Sequence, residues 1–178
     1  MTRNVLHFQA TTKLLNTCRI ESVLYLGEPA AGQLMHNWYV VLCGSGFPGK
    51  LLMLYVHEPS LLTVVVKGKT IASTIDNFRN QLKQLLFRHE FPQSFIEKEM
   101  SYTNDYVIGK TSNKSMLAHI NQMILQVTTF NLRYTAYHEI DTAVHEDLFM
   151  DWLYKSKGQK GYQTALGYWM KQLGEHPS

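Results

Sequence analysis

Six consecutive residues, Lys110, Thr111, Ser112, Asn113, Lys114 and Ser115, gather two ammonium groups, three hydroxyls and an amide in one short stretch. Apolar positions then recur at Met116, Leu117, Ile120, Ile124, Val127 and Phe130. That spacing is helical, so the stretch predicts a helix N-terminus with Ser112 or Asn113 as its cap. Unpaired N–H groups and the positive end of a helix dipole meet there, which makes 110–115 a candidate anion-binding site. A capped, solvated turn accounts for the same residues without a ligand. A nucleotide-hydrolysing loop is excluded: its first glycine would stand at position 104, which is Asn104, and Tyr106, Val107 and Ile108 read as a strand.

Other chemistry does not assemble. His57, His89, His138 and His145 are each followed by Glu, but no second His stands three residues after any of these Glu, as a helical zinc site would need. His138, His145 and Asp141 come nearest to a metal set, and no metal is expected. Ser45 lies between Gly44 and Gly46 without the flanks of a nucleophile elbow, and Cys43 has no catalytic context. His119 falls on the polar side of the long helix as a surface imidazole. No catalytic residue and no cofactor is assigned.

The elements that must position these residues follow from pattern. Strands are expected at 5–10, 37–42, 51–57, 61–67 and 105–110, where β-branched and aromatic residues lie between turn signals. The runs 51–57 and 61–67 form a hairpin, and being apolar throughout they must be covered on both faces. Ile71, Ile75, Phe78, Leu82, Leu85 and Leu86 step by three and four and predict a covering helix over 71–89. Short helices are expected at 13–18, capped by Thr11 or Thr12, and at 92–100, with the long one over 113–135. The expectation is one α+β domain: a mostly antiparallel central sheet, two main amphipathic helices and a C-terminal helical extension. The core spans 1–136 and the extension 137–178.

Of the 178 residues, 45% are hydrophobic, 12% aromatic and 17% charged, which excludes disorder over most of the chain. The longest strongly apolar runs have six residues, against the roughly 20 a spanning helix needs. Two cysteines, Cys18 and Cys43, and no signal-like segment point to the cytoplasm, with no membrane association. The net charge of +3 conceals segregation: 1–133 carries +5, 134–154 carries −5 and 155–178 carries +3. The last block joins a basic linker to an aromatic tail expected to order only against a partner. Lys155, Lys157, Lys160 and Trp169, together with Trp38 on its strand, are therefore candidate partner contacts.

The stretch 110–122, Lys-Thr-Ser-Asn-Lys-Ser-Met-Leu-Ala-His-Ile-Asn-Gln, resembles the signature of a family of small bacterial proteins catalogued as domain of unknown function 6933. The likeness takes in Thr12-Lys13-Leu14-Leu15, the Trp38 strand, the paired apolar strands and the helix around Phe78, and it covers about 4–135, with the tail outside. Lys114 stands where Arg is usual, Ala118 where Gly is usual and Gln122 where Asp is usual. Losing a guanidinium removes bidentate pairing with a carboxylate or phosphate. The resemblance implies a shared α+β fold and no activity. The functional expectation is a non-enzymatic interaction protein engaging a protein or nucleic-acid partner through 110–115 and the C-terminal extension. The alternative is a small enzyme acting on a phosphorylated or nucleotide substrate at 110–115.

Overall fold

Five short strands meet the pairing expected of them: β1 (Val5–Ala10), β2 (Asn37–Gly44), β3 (Leu51–His57), β4 (Thr63–Lys67) and β5 (Asp105–Lys110). The computed structural model describes residues 5–155 and 158–175. Six α-helices accompany the strands among those residues: α1 (Thr12–Cys18), α2 (Ile71–Arg88), α3 (Gln93–Ser101), α4 (Lys114–Phe130), α5 (Thr142–Met150) and α6 (Ala165–Glu175). Strand order is β4-β3-β2-β1-β5. β2, β3 and β4 pair antiparallel, whereas β1 runs parallel to both β2 and β5.

The sheet is thus mixed, which corrects the expectation of a mostly antiparallel one. Short loops, 45–50 and 58–62, join β2 to β3 and β3 to β4 and favour antiparallel pairing; β1 reaches β2 through α1, and a helical crossover is what allows parallel strands to be neighbours. The count of two main helices is corrected as well. Helices cover both faces of the sheet and divide the interior into two apolar layers.

On one face Leu6, Phe8, Trp38, Val40, Tyr55 and Val66 pack with residues of α1, α2, α3 and α6. On the other, Tyr39, Val41, Leu52, Leu54 and Val65 pack against α4 and Phe149 of α5. Val41 pairs with Leu54 and Leu54 with Val65, so side chains of neighbouring strands emerge on the same face in register. The apolar stripe of α2 is buried as its spacing requires. Its Phe78 ring lies 4.4 Å from Tyr55, 5.0 Å from Trp38 and 5.7 Å from Phe8, centroid to centroid.

Trp38 is 0% exposed and its Nε1 donates to the Met35 carbonyl at 2.7 Å. Trp169 of α6 is 1% exposed, 5.1 Å from the His57 ring and 5.8 Å from Phe95. Neither indole is open to a partner, which corrects two of the proposed contacts. The tail that was expected to await a partner orders on its own chain, because Ala165 and Trp169, one helical turn apart, both enter the first core layer. Lys155 and Lys160 are exposed; Lys157 lies outside the described residues.

A polar hub fixes α6. Ser60 Oγ accepts from Trp169 Nε1 at 2.9 Å and from the Leu62 N–H at 3.1 Å. With both acceptor sites used, its hydroxyl donates to His57 Nδ1 at 2.8 Å, leaving Nε2–H to donate to the Leu34 carbonyl at 3.3 Å. Full burial pushes the His57 imidazole down to about 3, so it is neutral. This buried Ser–His pair is structural, since no substrate reaches it.

Both sheet edges are occupied. On β4, the Val65 N–H donates to Glu146 Oε2 at 3.0 Å and the Val65 carbonyl accepts from Gln81 Nε2 at 2.7 Å. On β5, the Ile108 carbonyl accepts from the Val23 N–H at 2.8 Å. Leu26 of the same segment lies over Gly109, where a Cβ would come within 3.0 Å of it. Such devices keep an edge from pairing with another chain. No described helix is long and apolar enough to cross a membrane.

Truncating a fully buried indole leaves a cavity, so Trp169→Ala is expected to cost about 3–5 kcal/mol in urea unfolding. Tyr162→Ala, 72% exposed in the same segment, should stay within about 0.5 kcal/mol. Equal effects would show that the tail does not complete the core.

Burial outweighs the Val65 N–H and the Arg88 guanidinium and pushes the Glu146 carboxyl up to about 7. The folded chain then holds this proton more tightly than the unfolded one. Glu146 therefore favours folding below pH about 4.5 and loses that advantage as pH rises to about 7, a swing on the order of 3 kcal/mol. Comparing urea midpoints of wild type and Glu146→Gln at pH 5 and pH 8 isolates this group. The stability of wild type relative to the variant should fall between those pH values, and a constant difference would refute the assignment.

Candidate functional site

β1 and β5 end side by side, Ala10 paired with Lys110, and the chain then departs to opposite faces. After β1, Thr11 caps α1 by accepting the Leu14 N–H at 3.4 Å, and Leu14 and Leu15 enter the first core layer. After β5, Asn113 caps α4, whose Met116, Ile120, Met123 and Val127 enter the second. Two backbone bonds close the junction: Thr11 N–H to the Val40 carbonyl at 3.4 Å and Thr111 N–H to the Ala10 carbonyl at 3.3 Å.

A cleft of about 530 Å³ opens there, lined by Thr12, Leu15 and Asn16 of α1, by residues 20–24 and by Lys110. Lys110 brings the positive charge and Glu21 a negative one. Thr12, Asn16 and Ser22 add hydroxyl and amide groups, over an apolar floor that includes Leu15 and Ile20.

Of the six residues singled out in sequence, Lys110 alone lines this cleft. Thr111 is half-buried, and Ser112, Lys114 and Ser115 face solvent at the start of α4. Asn113 is fully engaged. Its side-chain oxygen accepts the Ser115 N–H at 2.9 Å and the Met116 N–H at 3.2 Å, and its amide donates to Glu58 Oε1 at 3.0 Å. Glu58 Oε2 accepts from Asn37 Nδ2 at 3.2 Å, and Asn37 Oδ1 from Gln9 Nε2 at 2.7 Å. The negative charge that the helix dipole favours at α4 is thus supplied by the protein itself. Asn16, Glu21 and Ser22 have no signal in the sequence, and Thr12 reads there only as a cap candidate and part of the resemblance: all four lie far from 110 along the chain and meet it only because β1 pairs with β5.

Six of the eight residues in the four His–Glu pairs have separate structural roles. His57 belongs to the Ser60 hub, and Glu58 to the Asn113 cap. His89 Nε2 meets Asp147 Oδ1 at 2.9 Å; His145 Nε2 donates to Asn131 Oδ1 at 2.7 Å. Glu139 accepts the Thr135 N–H at 2.8 Å, and Glu146 seals β4. Among the described residues no group of three or more His, Cys, Asp and Glu side chains is placed to hold a metal ion.

A family model described as Domain of unknown function (DUF6933) matches residues 7–166. The match runs past 135 through α5 and into the start of α6, so residues 136–166, expected to lie outside the resemblance, are part of it, and the rest of the tail is not. No curated protein and no solved structure matches the chain.

Removing a side-chain cap leaves two first-turn N–H groups to water. Asn113→Ala should therefore lower stability by about 1 kcal/mol in urea unfolding. Ser112→Ala, whose hydroxyl takes no part in the cap, should leave the midpoint unchanged; the reverse order would reassign the cap.

Proposed function

The chain belongs to the DUF6933 family, and we propose that it is a non-enzymatic binding protein holding a small molecule with an anionic group at the carboxyl ends of β1 and β5. The observation that carries this reading is the divergence of the chain after two neighbouring parallel strands. In open sheets that contain parallel strands, the crevice at such a switch point is where ligands are held, because the helices on opposite faces leave it uncovered. Here α1 and α4 leave in opposite directions and the cleft lies between them and residues 20–24.

The size, about 530 Å³, suits a metabolite rather than a polymer. Lys110 would meet the anionic group, Thr12 and Ser22 its neighbouring oxygens, and Leu15 and Ile20 an apolar part. Among the described residues no histidine lines the cleft and its only carboxylate, Glu21, faces solvent, which supports binding over proton-transfer chemistry. The partner reading loses Trp38 and Trp169 to the core. In the proposed reading the protein works in the cytoplasm, in keeping with its two unpaired cysteines.

Thermal unfolding with AMP or inorganic phosphate tests the proposal. At about 100 times the dissociation constant a ligand stabilises by about 2.7 kcal/mol, roughly 5–10 °C for a chain of this size. Lys110→Gln, an exposed change, should keep the unliganded midpoint and lose the shift. No shift in wild type, or an equal shift in the variant, would overturn the reading.

A further inference from the structure

A second cavity, of about 340 Å³, opens between α4 and the segment leading from α5 into α6. Its lining is aromatic. Trp152 is stacked on Phe149, centroids 5.2 Å apart and planes 28° apart, which fixes the indole while leaving it half-buried. Tyr154 is buried, and its hydroxyl donates to the Ser60 carbonyl at 2.9 Å and accepts from Gln163 Nε2 at 2.9 Å. The polar end of Tyr154 is therefore consumed inside the protein, and its ring is what the cavity meets. His119 of α4 stands edge to face with that ring, centroids 5.7 Å apart. Burial pushes the His119 imidazole below its ordinary value, so it is an uncharged wall near neutral pH.

The floor and mouth add two observations. Leu61, at the floor, is a buried leucine with φ 62°, a left-handed conformation that a leucine rarely adopts. The turn it sits in is held by Leu61 N–H to the His57 carbonyl at 2.8 Å and by the Tyr154 hydroxyl. Strain of this kind persists only where the surroundings over-determine it, and it gathers at binding sites. At the mouth Tyr162 and Leu153 are 72% and 61% exposed, two large apolar side chains beside an open cavity.

The charge is one-sided. Among the described residues Lys155 is the only charged one in the lining; its Nζ lies 6.0 Å from the Tyr162 ring centre, and Gln122 supplies an amide. We propose that this cavity is a binding site for a planar aromatic molecule carrying an anionic group, its ring against Trp152 and Tyr162 and its charge on Lys155. Flat rings match aromatic walls in offset or edge contact, which an aliphatic ligand forgoes. A cationic ligand would meet Lys155 with like charge and find no carboxylate among the described lining residues. The site is separate from the Lys110 cleft and shares no residue with it.

Fluorescence titration of the full chain with 1-anilinonaphthalene-8-sulfonate, an aromatic sulfonate, tests the proposal against its neutral analogue N-phenyl-1-naphthylamine. The expected result is saturable one-to-one binding of the sulfonate. Lys155→Gln should weaken it roughly fivefold, the scale of one exposed charge pair, and leave the neutral probe unaffected. Tyr162→Ala should weaken both probes. Phe87→Ala, on the exposed α2–α3 groove, should change neither. Failure to saturate, sensitivity to Phe87→Ala instead, or indifference to both Lys155→Gln and Tyr162→Ala would each overturn the assignment. Because Lys155 and Tyr162 are exposed, both variants keep the fold, and unchanged circular dichroism checks this.

Discussion

The parallel pairing of β1 with both of its neighbours is the constraint on which the rest of the structure depends. A parallel pair cannot be closed by a tight turn, so the chain must leave the sheet after β1 and return. It leaves through α1 on one face, while the chain after β5 leaves through α4 on the other. Two apolar layers follow, and so does the cleft between the two departing helices. Had β1 been the partner of a hairpin, Lys110 and Thr12 would not share a surface.

Buried polar groups do most of the joining between segments that are distant in sequence. Glu99 of α3 accepts the Leu34 and Met35 N–H groups at 2.9 and 3.1 Å and ties the long 19–36 segment to α3. Ser60 ties α6 to the β3–β4 turn, and Glu146 with Gln81 closes β4. Each joins a backbone group to a side chain more than fifteen residues away or completes a hydroxyl's hydrogen bonds. Leaving any of these groups unpaired in the interior costs more than the bond itself contributes.

Much of the fold was legible because it follows from local rules. The α2 stripe, the 51–67 hairpin and the caps, narrowed to Thr11 or Thr12 and to Ser112 or Asn113, each depend on residues within a turn or two of one another. The mixed character of the sheet was not legible, since strand residues 5–10 and 105–110 carry the same β-branched signal whichever direction they pair. Trp38 and Trp169 misled for a related reason. An aromatic residue in a short strand or a polar tail reads as an anchor, and only the packed partners, Phe78 for one and His57 and Phe95 for the other, make it a core residue. At the candidate site Lys110 was found through its cluster of polar neighbours, while Glu21 and Ser22 sit in a segment with no period at all.

The sequence by itself determined the five strand segments and the helices α1 to α4, which faces are apolar and that the chain belongs with DUF6933. The tertiary structure decided which of the chemically suggestive residues are free to act. It spent Asn113 on a cap, His57 and Ser60 on a hub, and Glu146 on an edge, and it gathered Lys110 with Thr12, and Lys155 with Trp152 and Tyr162. The physical reason is range: capping and periodicity act over a few residues, whereas burial and proximity are set by strand pairing between residues about a hundred positions apart.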